Sequence, residues 1–158
     1  MITTLNNLVD AFKEYAKDHP GINGFGVGSM DYVNTKALKY PYLWIDYSIS
    51  NILTENNTII PTVGLDIYVL DKWNNQKNID ITDEYGFETN NLQNIMSLTH
   101  QIQLHTTLFI RSLSSQGVKI DGDLSLEPVL DETVDKSYGW KMTPTLRLLN
   151  YNCQIPKI

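Results

Sequence analysis

Apolar residues in this chain change period twice, and that change narrows what it can fold into. From residue 90 to 115 they recur at helical spacing. Leu92, Ile95, Met96, Thr99, Ile102, Thr106, Phe109, Ile110 and Leu113 form one face, thickened by Leu98, Leu104 and Leu108. Gly117 is the natural stop. On either side of this helix the period is two. In the run Ile59–Trp73, Val63, Leu65, Ile67 and Val69 fall on one face, with Gly64, Asp66, Tyr68 and Leu70 on the other. Tyr40–Ile49 is also strand-like, and its Pro41 suits a strand start or edge. Val118–Gly122, Leu124–Leu130 and Trp140–Tyr151 supply the later strands, with Pro128 and Pro144 marking edges or bulges. A first helix over residues 4–18 carries Leu5, Leu8, Val9, Phe12, Tyr15 and Ala16 on one side. Thr3 or Thr4 caps its start, and His19-Pro20-Gly21 ends it. The order is helix, three strands, long helix, two or three strands. It predicts an α+β fold, with one antiparallel or mixed sheet of about five to six strands and both helices on one face.

The two long strand runs read as an antiparallel hairpin. Asn51–Thr58 is its turn-rich tip, and Ile52-Leu53 and Ile59-Ile60 make that tip apolar enough to dock onto something. Residues 74–88 form a polar connection that nonetheless holds Ile79, Ile81, Tyr85 and Phe87. Four large apolar groups argue against simple disorder. Either they pack back onto the domain or they meet a neighbour.

At 158 residues the chain is expected to be one domain, 1–158, large enough to bury its core without staples. Its one cysteine, Cys153, forms no internal disulfide and suits a reducing compartment. The N-terminus has neither a basic region nor a continuous apolar stretch, so no signal peptide is expected. No run approaches the ~20 apolar residues of a membrane span. A soluble intracellular product follows. Twelve Lys and Arg stand against 18 Asp and Glu, a net charge of −6, with the basic residues scattered rather than striped. That argues against a protein that grips DNA. It fits a surface that favours solubility or lets DNA slide past.

Groups that would carry chemistry are sparse. Ile22-Asn-Gly-Phe-Gly-Val-Gly-Ser29 alternates glycine with larger side chains, but leads to another strand rather than to a helix whose free N–H groups would meet a phosphate. A glycine-lined strand face permits close approach instead. His100 and His105 lie five apart and do not share a helix face as a metal pair would. Asp121-Gly-Asp-Leu-Ser125 lacks the downstream ligands of a calcium loop and reads as a β-turn. Asp46, Asp66 and Asp71 lie on or beside strands, and an enzyme would need them to converge. No histidine accompanies them in sequence. Neither cofactor, metal nor catalytic residue is expected.

Four runs together resemble a family of small structural proteins from tailed bacteriophages. They are Pro20-Gly-Ile-Asn-Gly-Phe-Gly26, Tyr40-Pro-Tyr-Leu-Trp44, Ile67-Tyr-Val-Leu-Asp-Lys-Trp73, and Leu126-Glu-Pro-Val-Leu followed by an acidic stretch and Gly139-Trp140. The resemblance implies a non-enzymatic virion component of the neck or tail, similar to tail-terminator, tail-completion and neck-ring proteins. Such proteins assemble as closed rings, here expected to hold six or twelve copies, at the head–tail junction. The implied neighbours are the connector or portal complex and tail proteins. DNA would pass through the channel without specific binding, and no membrane is involved. Trp73, Tyr85 and Phe87 are the expected subunit-interface anchors, since aromatics are enriched at interface cores. The alternative is a small α+β module that dimerises through its sheet and holds a small ligand, supported by the glycine-lined strand and the Tyr-rich middle.

Overall fold

The computed structural model describes residues 1–30, 39–55, 58–72, 81–82, 88–89, 91–130 and 137–151. Helix α1 (Leu5–Asp18) starts at Thr4, whose extended backbone lets its hydroxyl accept the Asn7 N–H at 3.1 Å. It ends at His19, whose own N–H bonds to Tyr15 O. Strands β1 (Gly24–Val27), β2 (Tyr42–Glu55) and β3 (Thr58–Lys72) follow. Two short strands, β4 (Ile81–Thr82) and β5 (Glu88–Thr89), pair as a separate ribbon within the connection that sequence alone left without structure. Helix α2 (Asn91–Ser112) runs into a 3-10 turn, Leu113–Gln116, closed by Gly117 at φ 85°. Strands β6 (Val118–Ile120), β7 (Leu126–Leu130), β8 (Ser137–Met142) and β9 (Thr145–Leu148) complete the chain.

The class is α+β, and the main sheet has seven strands, more than expected. Its path runs β1-β2-β3-β8-β7, with β9 also on β3 and β6 on β9. Every pairing is antiparallel except β1–β2, so the sheet is mixed. A parallel neighbour needs a crossover of a dozen or more residues, which the stretch between Val27 and Tyr42 supplies. The extra strand comes from Pro144. The run from Trp140 onward reads as one strand, but proline has no N–H for the ladder. The run therefore divides into β8 and β9, which lie along successive stretches of β3. Pro144 O still accepts the Leu65 N–H at 3.0 Å, bridging the break.

The hairpin tip is tighter than expected. Asn51–Thr58 was expected to be a loop, yet β2 and β3 stay paired out to Glu55 and Thr58, with only Asn56 and Asn57 between. A two-residue connection is the commonest hairpin link, and Ile52, Leu53, Ile59 and Ile60 favour strand.

Val63, Leu65, Ile67 and Val69 face one way as the alternation predicts. They join Leu43, Ile45, Met142, Leu146 and Leu148 beneath Leu8, Phe12 and Ala16 of α1, Ile102 and Ile110 of α2, and Leu113 of the turn that follows it. Both helices thus cover one sheet face. The opposite face holds a smaller buried group, Tyr42, Trp44, Tyr68, Leu70 and Val129.

One expectation about α2 fails. Leu98, Leu104 and Leu108 do not thicken its inner face but point outward, Leu108 with 64% of its surface exposed. Thr99 and Thr106 hold inner positions as expected, joined by Gln103, and all three are fully buried. The threonine hydroxyls donate back to Ile95 O (2.6 Å) and Ile102 O (2.9 Å), which removes the penalty for burying them. Gln103 gives both amide hydrogens to strand carbonyls, Ile67 O at 2.8 Å and Trp140 O at 2.9 Å. Gln103→Leu keeps the volume but removes both bonds between helix and sheet. It is expected to lower stability by about 1–3 kcal/mol. Each kcal/mol would appear as a fall of roughly 2–4 °C in a thermal melt followed by circular dichroism.

Candidate functional site

The three carboxylates singled out as possible catalysts do not all come together. Asp46 and Asp66 sit directly opposite each other across β2 and β3. Asp71, five residues along β3 from Asp66, falls on the other face of the sheet, where successive side chains alternate. Its carboxylate accepts the Lys72 N–H at 2.8 Å, and burial raises its pKa above the ordinary value. Among the described residues no three His, Cys, Asp or Glu side chains gather as a metal centre. None of the described helices is long and apolar enough to cross a membrane.

The glycine-rich run is structural in the way its spacing implies. Phe25 and Val27 pack on the main core. The opposite side of β1 is covered by the Trp44 ring, so close that a Cβ on Gly26 would lie 2.1 Å from its Cζ3. The indole Nε1 donates to Gly28 O at 2.8 Å. Beside this strand an open cleft of about 640 Å³ is lined by Ala16, Lys17, Ile22, Asn23, Phe25, Lys39 and Tyr40. Its polar groups are partly committed. Lys17 pairs with Glu14 at 3.1 Å, and Asn23 donates to Tyr40 O at 2.9 Å.

His100 and His105 play separate parts, as their spacing requires. His100 rests edge-on against the Trp140 ring, with centroids 5.2 Å apart. His105 instead meets His19 from α1, a pairing that no local spacing reveals. His19 Nε2 and His105 Nδ1 are 2.9 Å apart, and His19 Nδ1 accepts the Gly21 N–H at 3.0 Å. That second bond leaves the proton of neutral His19 on Nε2, which donates it to His105. Tyr15 stacks on Phe109 next to this pair (4.4 Å, 8°) and stands edge-on to the His19 ring. Since the Thr106 hydroxyl already donates to Ile102 O, the Tyr15 hydroxyl is the donor in their 3.1 Å contact.

Burial, and then the neighbouring His105, lower the His19 pKa below the usual 6.5. The folded chain therefore takes up a proton there less readily than the unfolded chain. Stability from this group is complete above pH 6.5 and is lost as pH falls from 6.5 toward the depressed folded value. Thermal melts between pH 7.5 and 5.5 should show a steeper decline in wild type than in His19→Gln. Parallel declines would remove His19 as the cause.

Trp73, Tyr85 and Phe87, the expected interface anchors, lie outside the described residues. The exposed apolar surface that the structure does describe is elsewhere. Beyond a bulge between Tyr47 and Ile49, the β2–β3 hairpin continues as an arm. Its Ile52 is 71% exposed, Ile59 44% and Leu53 37%. Cross-strand pairing sets Ile52 against Pro61 on one face and Leu53 against Ile60 on the other, so both faces are apolar. From Ser48 to Pro61 the only charged residue is Glu55. The outward leucines of α2 form a second such surface, on a helix whose only Lys, Arg, Asp or Glu is Arg111. The apolar residues of the arm were legible in the sequence; the apolar character of the outer helix face was not, because its leucines read as core.

No protein-family model matches this chain, and neither does any curated protein sequence. The fold class is therefore what the structure defines: an α+β domain with a seven-stranded mixed sheet, two helices on one face and a projecting apolar arm.

Proposed function

We propose that this chain is a non-enzymatic virion structural protein, forming a homo-oligomeric ring around the DNA channel at the head–tail junction of a tailed bacteriophage. The observation that carries this reading is where the family-like runs fall. Gly24–Gly26 lies in β1, Tyr42–Trp44 in β2, Ile67–Lys72 in β3, Leu126–Leu130 in β7 and Gly139-Trp140 in β8. Those five strands are consecutive in one sheet, so the likeness is to a framework and not to a reactive site. Two further features support it. A ring closes through two different patches that meet head to tail, and the arm and the outer face of α2 are two exposed apolar surfaces on separate elements. A net charge of −6 has the sign of DNA, which suits a channel that does not grip it. The work would be geometric: bridging the connector or portal complex to the tail and holding the channel open.

Native mass across a concentration series at physiological salt tests this. Six or twelve copies, alone or on addition of the phage connector, are expected. A species that stays monomeric or dimeric with the connector present would overturn the ring. A second reading, a small dimeric ligand-binding module, draws on the cleft beside β1. Its sign would be a dimer with a saturable small-molecule ligand whose binding is lost in Lys39→Glu.

A further inference from the structure

We propose that the outer edge of β2, Ile49 to Glu55, joins two copies of this chain across a two-fold axis, making one continuous sheet of both. The inference rests on how the chain treats its strand edges. An open edge presents unpaired N–H and C=O groups, and proteins guard such edges by shortness, lysine or proline. Strand β7 carries Pro128 and the ion pair of Glu127 with Lys141 at 3.5 Å. Strand β6 is three residues long with an exposed Lys119, and β1 is four residues long. The outer edge of β2 is covered by β1 only from Tyr42 to Ile45, and no described strand pairs with the rest. From Ser48 to Glu55 it contains no lysine, arginine or proline. It is therefore long, rich in strand-forming residues and unguarded.

What pairs with it follows from symmetry and charge. Directly opposed residues in an antiparallel pair lie on the same face, so a two-fold pairing must centre on one residue. Centred on Ile52, it sets Ile52 against its own copy, Ser50 against Thr54, Asn51 against Leu53 and Ile49 against Glu55. No like charges oppose, although the chain as a whole is acidic. Seven residues a side give a contact about 23 Å long. The pairing also supplies what the arm lacks. A two-stranded ribbon is marginal in water, and three or more strands are needed for independent stability. Doubling makes it four-stranded and covers Ile52, the most exposed apolar residue in the body of the described chain.

The pairing uses the backbone edge of the arm, whereas ring closure would use its apolar faces. Edge pairing yields a plain dimer if no ring forms, and two stacked layers if one does. Two variants of the full chain, Ser50→Pro and Thr54→Pro, remove an N–H from that edge and test it by native mass. Both lie outside the core, and unchanged circular dichroism of the body checks that. Each is expected to halve the native mass, whether from two copies to one or from twelve to six. A monomeric wild type, or a mass unchanged in both variants, would overturn the proposal; six copies that persist would leave the ring standing without it. Register is read by disulfide trapping in a Cys153→Ser background. Ile52→Cys should link two copies under mild oxidation, because opposed Cβ atoms come within about 5 Å. Ser50→Cys should not, its nearest equivalent being about 13 Å away. Equal trapping of both would overturn the Ile52-centred pairing.

Discussion

Gly139→Ala is expected to destabilise the protein by about 3 kcal/mol or more, from the addition of one methyl group. Gly139 lies in β8, between Leu70 of β3 and Val129 of β7. A Cβ there would sit 1.9 Å from Val69 O and 3.0 Å from Val69 C. The obstacle is backbone in the middle of the sheet, which cannot swing aside as a side chain can. Relief requires β8 to lift from β3. That motion would also disturb Trp140, whose indole donates to Met96 O at 2.9 Å and ties the sheet to the first half of α2. Urea denaturation should show a lower midpoint with unchanged slope if the variant still folds in two states. Gly122→Ala is the comparison. Its φ is 84°, but nothing lies within 4 Å of the added methyl. The expected cost there is only the ~1–2 kcal/mol of a left-handed alanine. Equal losses at the two positions would mean that crowding of Val69 is not the reason for a glycine at 139.

Phe12→Ala is expected to cost about 3–5 kcal/mol. Phe12 is wholly buried on the inner side of α1, edge-on to Phe109 of α2 at 5.2 Å and 76°. Phe109 also stacks with Tyr15. Removing Phe12 therefore opens a cavity and weakens the seam that joins the two helices. A double-mutant cycle with Phe109→Ala should return about 0.5–1.5 kcal/mol of coupling. Coupling near zero would place the whole effect in burial rather than in the ring contact.

The fold was legible where a period runs long enough to be unambiguous. The alternation in β3 separated its two faces residue by residue, and Thr4 and Gly117 marked helix ends, the one by its capping hydroxyl and the other by its left-handed backbone. The errors have specific physical origins. Leu98, Leu104 and Leu108 read as core because hydrophobicity alone widens the face in a periodic count. Thr99 and Thr106 hold the inner positions that the spacing predicts, and Gln103, which it misses, is buried between them. Pro144 was read correctly as an irregularity, but its dividing of one strand into two needs the third dimension. The candidate surface was partly visible, since Ile52-Leu53 and Ile59-Ile60 were expected to dock, although as a loop tip rather than as paired strands. The His19–His105 contact joins residues 86 positions apart, and no local spacing encodes it.

Strand β3 shares its edges with β2, β8 and β9, and almost every residue from Thr62 to Leu70 is buried. Amide protons along that stretch can meet solvent only when the whole domain opens, so their exchange should report the global unfolding free energy. Amides on the short rim strands β1 and β6 should exchange sooner, through local fraying. Opening would then travel from rim to spine. A protease would meet the rim long before it met β3, and the protein's lifetime would be set by how seldom that one strand lets go of its neighbours.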